Sequence, residues 1–325
     1  MIKLPATHDT DGHCTLAGAT GSATLDGAPL IGGTSDNPFT TRTRLLVSHP
    51  AQGAKFIATQ IQSSTPQAEA IFEGMYTRGV NSYGFAYTWS SAEPDPQHEP
   101  TFDMASGTTF KEFGELLLTQ ATSVNDAVDM LESNVRAIHG NFLLTDSSGS
   151  IGLVEVSTRS IHLETLIVNG AVGRTNHWIS PRMSRISPIP DPLGSSAIRL
   201  QRITDLMANG DGKIDINYLW KCFSDHATLD TTGWSICAHG IHRGSADSGG
   251  GTISSEIMDP VNQVLYYCYG WPCGTSSVDA SWQHLQERSW GEYIGFKLND
   301  LVPGEYVTSD GRLCPTAVRY INQRT

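Results

Sequence analysis

The sequence predicts an α+β protein in which antiparallel sheets are covered by pairs of helices. Three observations carry this. Strand-like and helix-like stretches come in blocks: strands, a helical pair, strands, a helical pair, strands. The strands are short and turn-linked, the pattern of antiparallel rather than parallel pairing. No linker with a shift of composition, no internal repeat and no low-complexity run divides the 325 residues, so a single domain over 1–325 is expected.

Residues 15–20 are small and β-compatible, Asp26-Gly27 signals a turn, and residues 28–33 return, which reads as a hairpin ending at Gly33-Thr34-Ser35-Asp36-Asn37. Residues 44–49 and 55–61 form a further strand pair, and 79–89 read as a turn feeding a strand. Residues 90–106 carry prolines and acids and read as a loop. A short amphipathic helix follows over 110–119. Ser123 caps the next, with Val124, Ala127, Val128 and Leu131 at helical spacing. Three strands come in succession at 141–146, 151–157 and 161–165, and 173–178 is another strand-like stretch. The proline-rich 180–194 is a loop. Helices are expected over 195–207, with Ile198, Ile203 and Leu206 on one face, and over 216–223. Strands return at 235–237, 252–258 and 264–269, while 279–325 carries no assignable pattern.

The charge balance narrows the function. A net charge of −12 opposes a nucleic-acid groove and docking on anionic membranes. No apolar run approaches the roughly 20 residues of a spanning helix, and the polar start lacks the apolar core of a secretory signal. Five of the six cysteines lie in the last third and Cys14 stands apart, which is no disulfide framework; reduced thiols in a cytoplasmic protein are expected.

Cys14 is the candidate nucleophile. A free cysteine is more often a small buried hydrophobe, but this one sits where a polar leader meets the first strand, at a sheet edge. Cleavage of the His13–Cys14 bond would give it a free α-amine of pKa about 7.7–8.0, able to take the thiol proton without a histidine. Asp36 either makes a turn or is brought back beside Cys14 to orient that amine. Asn176, near the end of a strand, and Asn81, between Gly79 and Gly84, are turn or edge residues whose amides could alternatively donate to an oxyanion.

Three other patterns fail as sites. Asp247-Ser248-Gly249-Gly250 echoes a trypsin-like nucleophile loop, but His239 and His242 lie just before it rather than far upstream. Residues 209–215 echo a calcium loop, yet Met207 and Tyr218 occupy the first and last ligand positions, so a helix-to-helix turn is expected. Cys268 and Cys273 lack a second metal pair, His284 is distant, and nothing completes a tetrahedral set. No cofactor and no metal is called for.

Taken in order, Cys14-Thr15, Gly32-Gly33-Thr34-Ser35-Asp36, Gly79-Val80-Asn81-Ser82-Tyr83-Gly84, the stretch from Gly140 to Asp146, Val154-Glu155-Val156-Ser157 and Arg174-Thr175-Asn176-His177 resemble N-terminal-nucleophile cysteine hydrolases. Further on, Arg199-Leu200-Gln201-Arg202, Ser224-Asp225-His226, Ser235-Ile236-Cys237-Ala238-His239, Thr252-Ile253-Ser254-Ser255, Ile257-Met258-Asp259-Pro260 and Gly270-Trp271-Pro272-Cys273 resemble the penicillin (isopenicillin N) acyltransferase-like branch. The resemblance implies a four-layer αββα sandwich, self-cleavage before Cys14 with loss of residues 1–13, and amide hydrolysis or acyl transfer through a thioester. By position it implies Cys14 as nucleophile, Asp36 as the acidic residue of the first hairpin, Asn176 as the oxyanion asparagine and Asn81 as a second oxyanion contact. Relatives commonly have Gly directly before the nucleophile, where this chain has His13. They often have Arg or Lys before the hairpin aspartate, where it has Ser35, and Ser-Ile-Cys-Arg-His, where it has Ala238. The missing cations point to a substrate without a carboxylate near the scissile bond.

The expected protein is therefore a cysteine amidohydrolase or acyltransferase acting on a small amide or acyl-donor substrate, without nucleic-acid or membrane partners. Homo-oligomerisation is left open. A dipeptidase of the neighbouring cysteine branch and a non-catalytic binding protein on the same fold are the alternatives.

Overall fold

The computed structural model describes residues 14–62, 73–99, 107–187, 190–228, 234–239, 250–277 and 288–324. Strands β1 (Thr15–Thr20) and β2 (Leu30–Pro38) form the first hairpin, with Thr15 opposite Thr34 and Leu16 opposite Gly33. Strands β3 (Arg42–Ser48), β4 (Phe56–Gln62), β5 (Tyr76–Asn81) and β6 (Phe85–Ser90) follow. Helices α1 (Phe110–Gln120) and α2 (Val124–Ser133) interrupt before β7 (Gly140–Asp146), β8 (Ile151–Val156), β9 (Ile161–Ile167) and β10 (Gly170–Arg174). A second pair, α3 (Ser195–Asn209) and α4 (Ile216–Phe223), precedes β11 (Gly250–Asp259), β12 (Val264–Tyr269), β13 (Ile294–Lys297) and β14 (Gly304–Val307); α5 (Pro315–Asn322) ends the chain's regular structure.

The strands make two antiparallel sheets. One runs β10-β1-β2-β11-β12-β13, the other β14-β3-β4-β5-β6-β7-β8-β9. Side-chain alternation sorts the core into three layers. Between the sheets lie Leu16, Ile31, Ile57, Val80, Leu143, Leu153, Met258 and Leu265. Phe56, Ala58, Phe85, Leu144 and Val154 face the opposite way, against Phe113, Leu117, Ala127 and Leu131 of α1 and α2. Ala17, Ala19, Leu30 and Ile257 do the same under Ile203, Met207, Leu219 and Phe223 of α3 and α4. The result is helix, sheet, sheet, helix: the αββα sandwich expected.

Local chemistry sets the helix starts. Thr109 and Glu112 form a reciprocal capping box on α1, Ser123 accepts from the Asp126 amide at α2, and Asp215 accepts from the Tyr218 amide at α4. The calcium-like stretch is thus a turn closed by a cap, as its missing ligands required. Close approach explains the glycines of β2: a Cβ on Gly32 would stand 2.4 Å from the Glu256 carbonyl oxygen, and one on Gly33 2.7 Å from that of Thr15.

Three expectations need correction. Residues 235–237 are not a strand; the Ser235 hydroxyl donates to the Cys237 carbonyl and the Cys237 amide to Asp225, which curls the segment away from sheet pairing. The strand expected at 173–178 stops at Arg174, because the Asn141 amide captures the carbonyls of Thr175 and His177 at 2.9 and 3.1 Å. Residues 79–89 are two strands and their turn.

Candidate active site

Cys14 lies immediately before β1 and is 4% exposed. Leu16 faces the seam between the sheets while Ala17 and Ala19 face the α3/α4 layer. Strand alternation therefore puts Cys14 on the seam. Burial pushes its thiol up. The Arg78 charge, the Asp36 backbone N–H and Arg199 favour the thiolate, while the Asp36 charge opposes it. Burial dominates, so this form holds a protonated thiol and needs a base.

Arg199 fixes the backbone at that cysteine. Its Nη1 donates to the Cys14 carbonyl at 2.6 Å and to Thr15 Oγ1 at 2.9 Å, its Nη2 to Asn176 Oδ1 at 2.9 Å, and its Nε to Ser195 Oγ at 2.9 Å. The fully buried stripe of α3 is Ser195, Arg199, Ile203 and Met207 rather than the Ile198–Ile203–Leu206 face expected from hydrophobicity. The helix turns its arginine inward because a carbonyl, a hydroxyl and an amide oxygen await its donors.

Asp36 is brought beside Cys14, as the hairpin reading expected. It is fully buried, and burial raises its carboxyl to about 7, against the opposing pull of Arg199 and of the Thr252 hydroxyl, which donates to Oδ1 at 2.7 Å. Its Oδ2 is buried with no hydrogen-bond partner. A carboxyl with one free oxygen and a midpoint near neutrality can take a proton or hold an amine.

Arg78 crosses the seam from β5. It donates to Ser35 Oγ and to the Thr34 carbonyl at 2.6 Å, and it pairs with Glu256 of β11 at 3.3 Å with both side chains fully buried. Its positive charge therefore tethers β2 and β11 to the other sheet directly beneath Cys14.

Asn176 joins the same network. Arg199 can only donate, so Asn176 turns Oδ1 toward it and Nδ2 away. That amide donates to Ser91 O and Oγ, both at 3.0 Å. Neighbouring His177 contacts Ser196 Oγ at 2.7 Å and stays neutral; burial first, then Arg199 and Arg174, lower it to about 4.

Asn81 does not join. It closes the β5–β6 turn, its Oδ1 accepting the Tyr83 and Phe85 amides at 3.0 Å, while Nδ2 donates to the Ala121 carbonyl at the end of α1. It points into the helical layer, at the opposite end of β6 from Ser91. The expectation of a second oxyanion contact there is corrected; asparagine between glycines does the turn work its sequence context implied.

Asp247, Ser248, Gly249, His242 and His284 lie outside the described residues. Cys273 does not pair with Cys268; its Sγ is 3.6 Å from Cys237 Sγ and 3.1 Å from His239 Nε2. The expectation that nothing completes a set of ligands around it is therefore also corrected. Sequence reasoning missed Arg78 and assigned no role to Arg199. A buried arginine has no local signature, and only the quoted Arg199–Arg202 stretch pointed to the second.

Two antiparallel sheets between helical layers, with a buried cysteine opening the first strand at their seam, define an Ntn-hydrolase-type sandwich. The model of the acyl-coenzyme A:6-aminopenicillanic acid acyl-transferase family matches residues 24–272, and the chain belongs to that family of enzymes acting on amide bonds. Cys14 lies before the matched residues. No curated protein matches the chain significantly. Among solved structures it is similar to a mutant of conjugated bile acid hydrolase from Clostridium perfringens, with 11% identity over 91% of this chain and 98% of that one and a TM-score of 0.51. It is also similar to penicillin V acylase from Agrobacterium tumefaciens, with 15% identity over 79% and 83% and a TM-score of 0.44. At 11% identity, the likeness to the bile acid hydrolase speaks to the fold alone. Among the described residues no helix is long and apolar enough to cross a membrane.

Proposed function

We propose that the protein cleaves or transfers the acyl group of a small N-acyl amide through a thioester on Cys14, after loss of residues 1–13. The observation that carries this reading is the Cys14 environment: a buried thiol on the seam, its carbonyl gripped by Arg199, beside a carboxyl with a free buried oxygen.

The steps follow from those groups. Hydrolysis of the His13–Cys14 bond frees the α-amine of Cys14. That amine takes the thiol proton, which burial otherwise holds in place, and Asp36 Oδ2 stabilises the resulting ammonium. The sulfur attacks the amide carbonyl, and Asn176 Nδ2, whose Oδ1 is held by Arg199, exchanges its bond to the Ser91 hydroxyl for one to the oxyanion while keeping its bond to the Ser91 carbonyl. The C–N bond breaks, the amine leaves with the proton, and water or a second amine resolves the thioester and restores the thiol.

The substrate side follows from charge. Among the described residues, the two cations that act on the Cys14 thiol are Arg78 and Arg199, and both donate to protein groups. Ala238, which bonds through Thr252 to Asp36, adds none. An amide without a carboxylate next to the scissile bond fits best. The test is release of amine from a panel of N-acyl amides with and without that carboxylate, using wild type and Cys14→Ala. Turnover of the neutral members, lost in the variant, is expected. Faster turnover of the carboxylate-bearing members would overturn the substrate reading, and turnover unaffected by the variant would overturn the nucleophile.

A further inference from the structure

A second chemical cluster lies outside the Cys14 site. It draws on three separated segments: His226 beyond α4, Cys237 and His239 in the curled 234–239 segment, and Cys273 beyond β12. One donor atom from each converges, all four within 4.8 Å of one another.

The edges of this figure are informative. Nε2 of His226 and His239 are 2.9 Å apart, Cys237 Sγ and Cys273 Sγ are 3.6 Å apart, and His239 Nε2 stands 3.5 and 3.1 Å from the two sulfurs. A tetrahedral zinc ion with bonds of about 2.3 Å to sulfur and about 2.05 Å to nitrogen requires edges of about 3.3 Å for N–N, about 3.6 Å for S–N and about 3.8 Å for S–S. These four edges match after an outward adjustment of under about half an ångström, and the remaining two, from His226 to the sulfurs, lie within 4.8 Å.

Hydrogen bonding does not account for the cluster. An imidazole Nε2 carries either one proton or one lone pair, yet His239 Nε2 faces three heteroatoms at contact distance. One central cation satisfies all four donors at once.

The surroundings fit as well. Phe39, Ile253 and Trp271 pack against Cys237, and the Trp271 ring lies edge-on to His239. Two thiolates and two neutral imidazoles around a dication make a centre of zero net charge, the form that an apolar shell tolerates. Backbone bonds hold the ligands: the Cys237 amide donates to Asp225 O, and the Ala238 amide to Thr252 Oγ1. A cavity of about 430 Å³ lined by Trp220, Ser224, His226 and Cys273 opens a path from solvent.

We propose that His226, Cys237, His239 and Cys273 form a closed structural Zn2+ site. On binding, the ion replaces the two thiol protons, which leave to solvent, and no redox change occurs. Four protein ligands leave no open position for catalysis. The site instead clamps His226 and the 234–239 segment to the end of β12. Thr252 links that segment to Asp36, so the clamp braces one wall of the active site.

The experiment uses the full-length protein, freed of any histidine tag and purified without chelator. Elemental analysis is expected to give about one Zn2+ per chain. Exchange into Co2+ is expected to give the intense visible bands of a tetrahedral ion together with a thiolate-to-metal charge-transfer band. Stripping the metal from the wild type should lower its melting temperature, and adding Zn2+ back should restore it, a readout that needs no variant to fold. Cys273→Ser should lose the charge-transfer intensity of one thiolate or fail to retain metal, whereas Cys268→Ser should keep the full spectrum. Wild-type protein that is metal-free, takes up neither Zn2+ nor Co2+, or carries a Cys237–Cys273 disulfide would overturn the proposal. None of these readouts depends on Cys14 chemistry.

Discussion

Replacing Asp36 with asparagine tests whether a carboxyl is held near neutrality at the seam. The comparison is made in a Cys14→Ala background, so that processing does not alter the charge beside it. Burial raises this carboxyl from 3.8 to about 7, whereas in the unfolded chain it returns to about 3.9. Between those values the folded chain keeps a proton that the unfolded chain has released. Stability from this group is therefore fully present below about pH 4 and is lost as pH rises through about 7. Three units at about 1.36 kcal/mol each give a loss on the order of 4 kcal/mol. Asparagine has no such titration, and its carbonyl can still accept from Thr252. Urea unfolding from about pH 4 to about pH 8 should show the variant gaining on its parent by several kcal/mol across that window. A difference that stays flat, or that widens as pH falls, would refute the assignment of Asp36 as a buried, proton-holding carboxyl.

Asn176→Ala should lower kcat by about 10²–10³-fold with a much smaller change in KM, measured by steady-state amine release. Asn81→Ala should instead cost about 1–3 kcal/mol in urea unfolding, since it orphans two turn amides, and leave kcat per folded molecule unchanged. Equal kcat losses in the two variants would return Asn81 to the site. Arg78→Met strands Glu256 in the seam and should destabilise by about 3–5 kcal/mol, with partial recovery in the Arg78→Met/Glu256→Leu double variant. Full stability of the single variant would show that the pair is dispensable.

The parts that sequence reading reached are those with local signatures. The first hairpin follows from Asp26-Gly27, and the helix start at Ser123 follows from a side chain that caps its own helix; the cap at Asp215 emerged only in the structure. Cys14 and Asp36 meet because antiparallel register, set by that hairpin, brings them together. The tail escaped because β13 and β14 have four residues each, too short to display a period, and sit on sheet edges. Arg78 and Arg199 escaped for a different reason. An arginine in a strand or helix reads as a solvent-facing charge, and only the oxygens waiting in three dimensions turn it inward. The same holds for His226, Cys237, His239 and Cys273, whose spacing matches no ligand motif because three segments must fold before they meet. Asn81 was misplaced where family likeness was preferred to local chemistry.

The account rests on Cys14 as a processed, N-terminal nucleophile. Intact-mass analysis and peptide mapping of the protein treated with an acyl-transferring electrophile test this most directly. Wild type is predicted to lack residues 1–13 and to carry one acyl adduct on Cys14, while Cys14→Ala keeps the leader and stays unlabelled. An adduct on any other residue, or an active wild-type chain that retains residues 1–13, would contradict it.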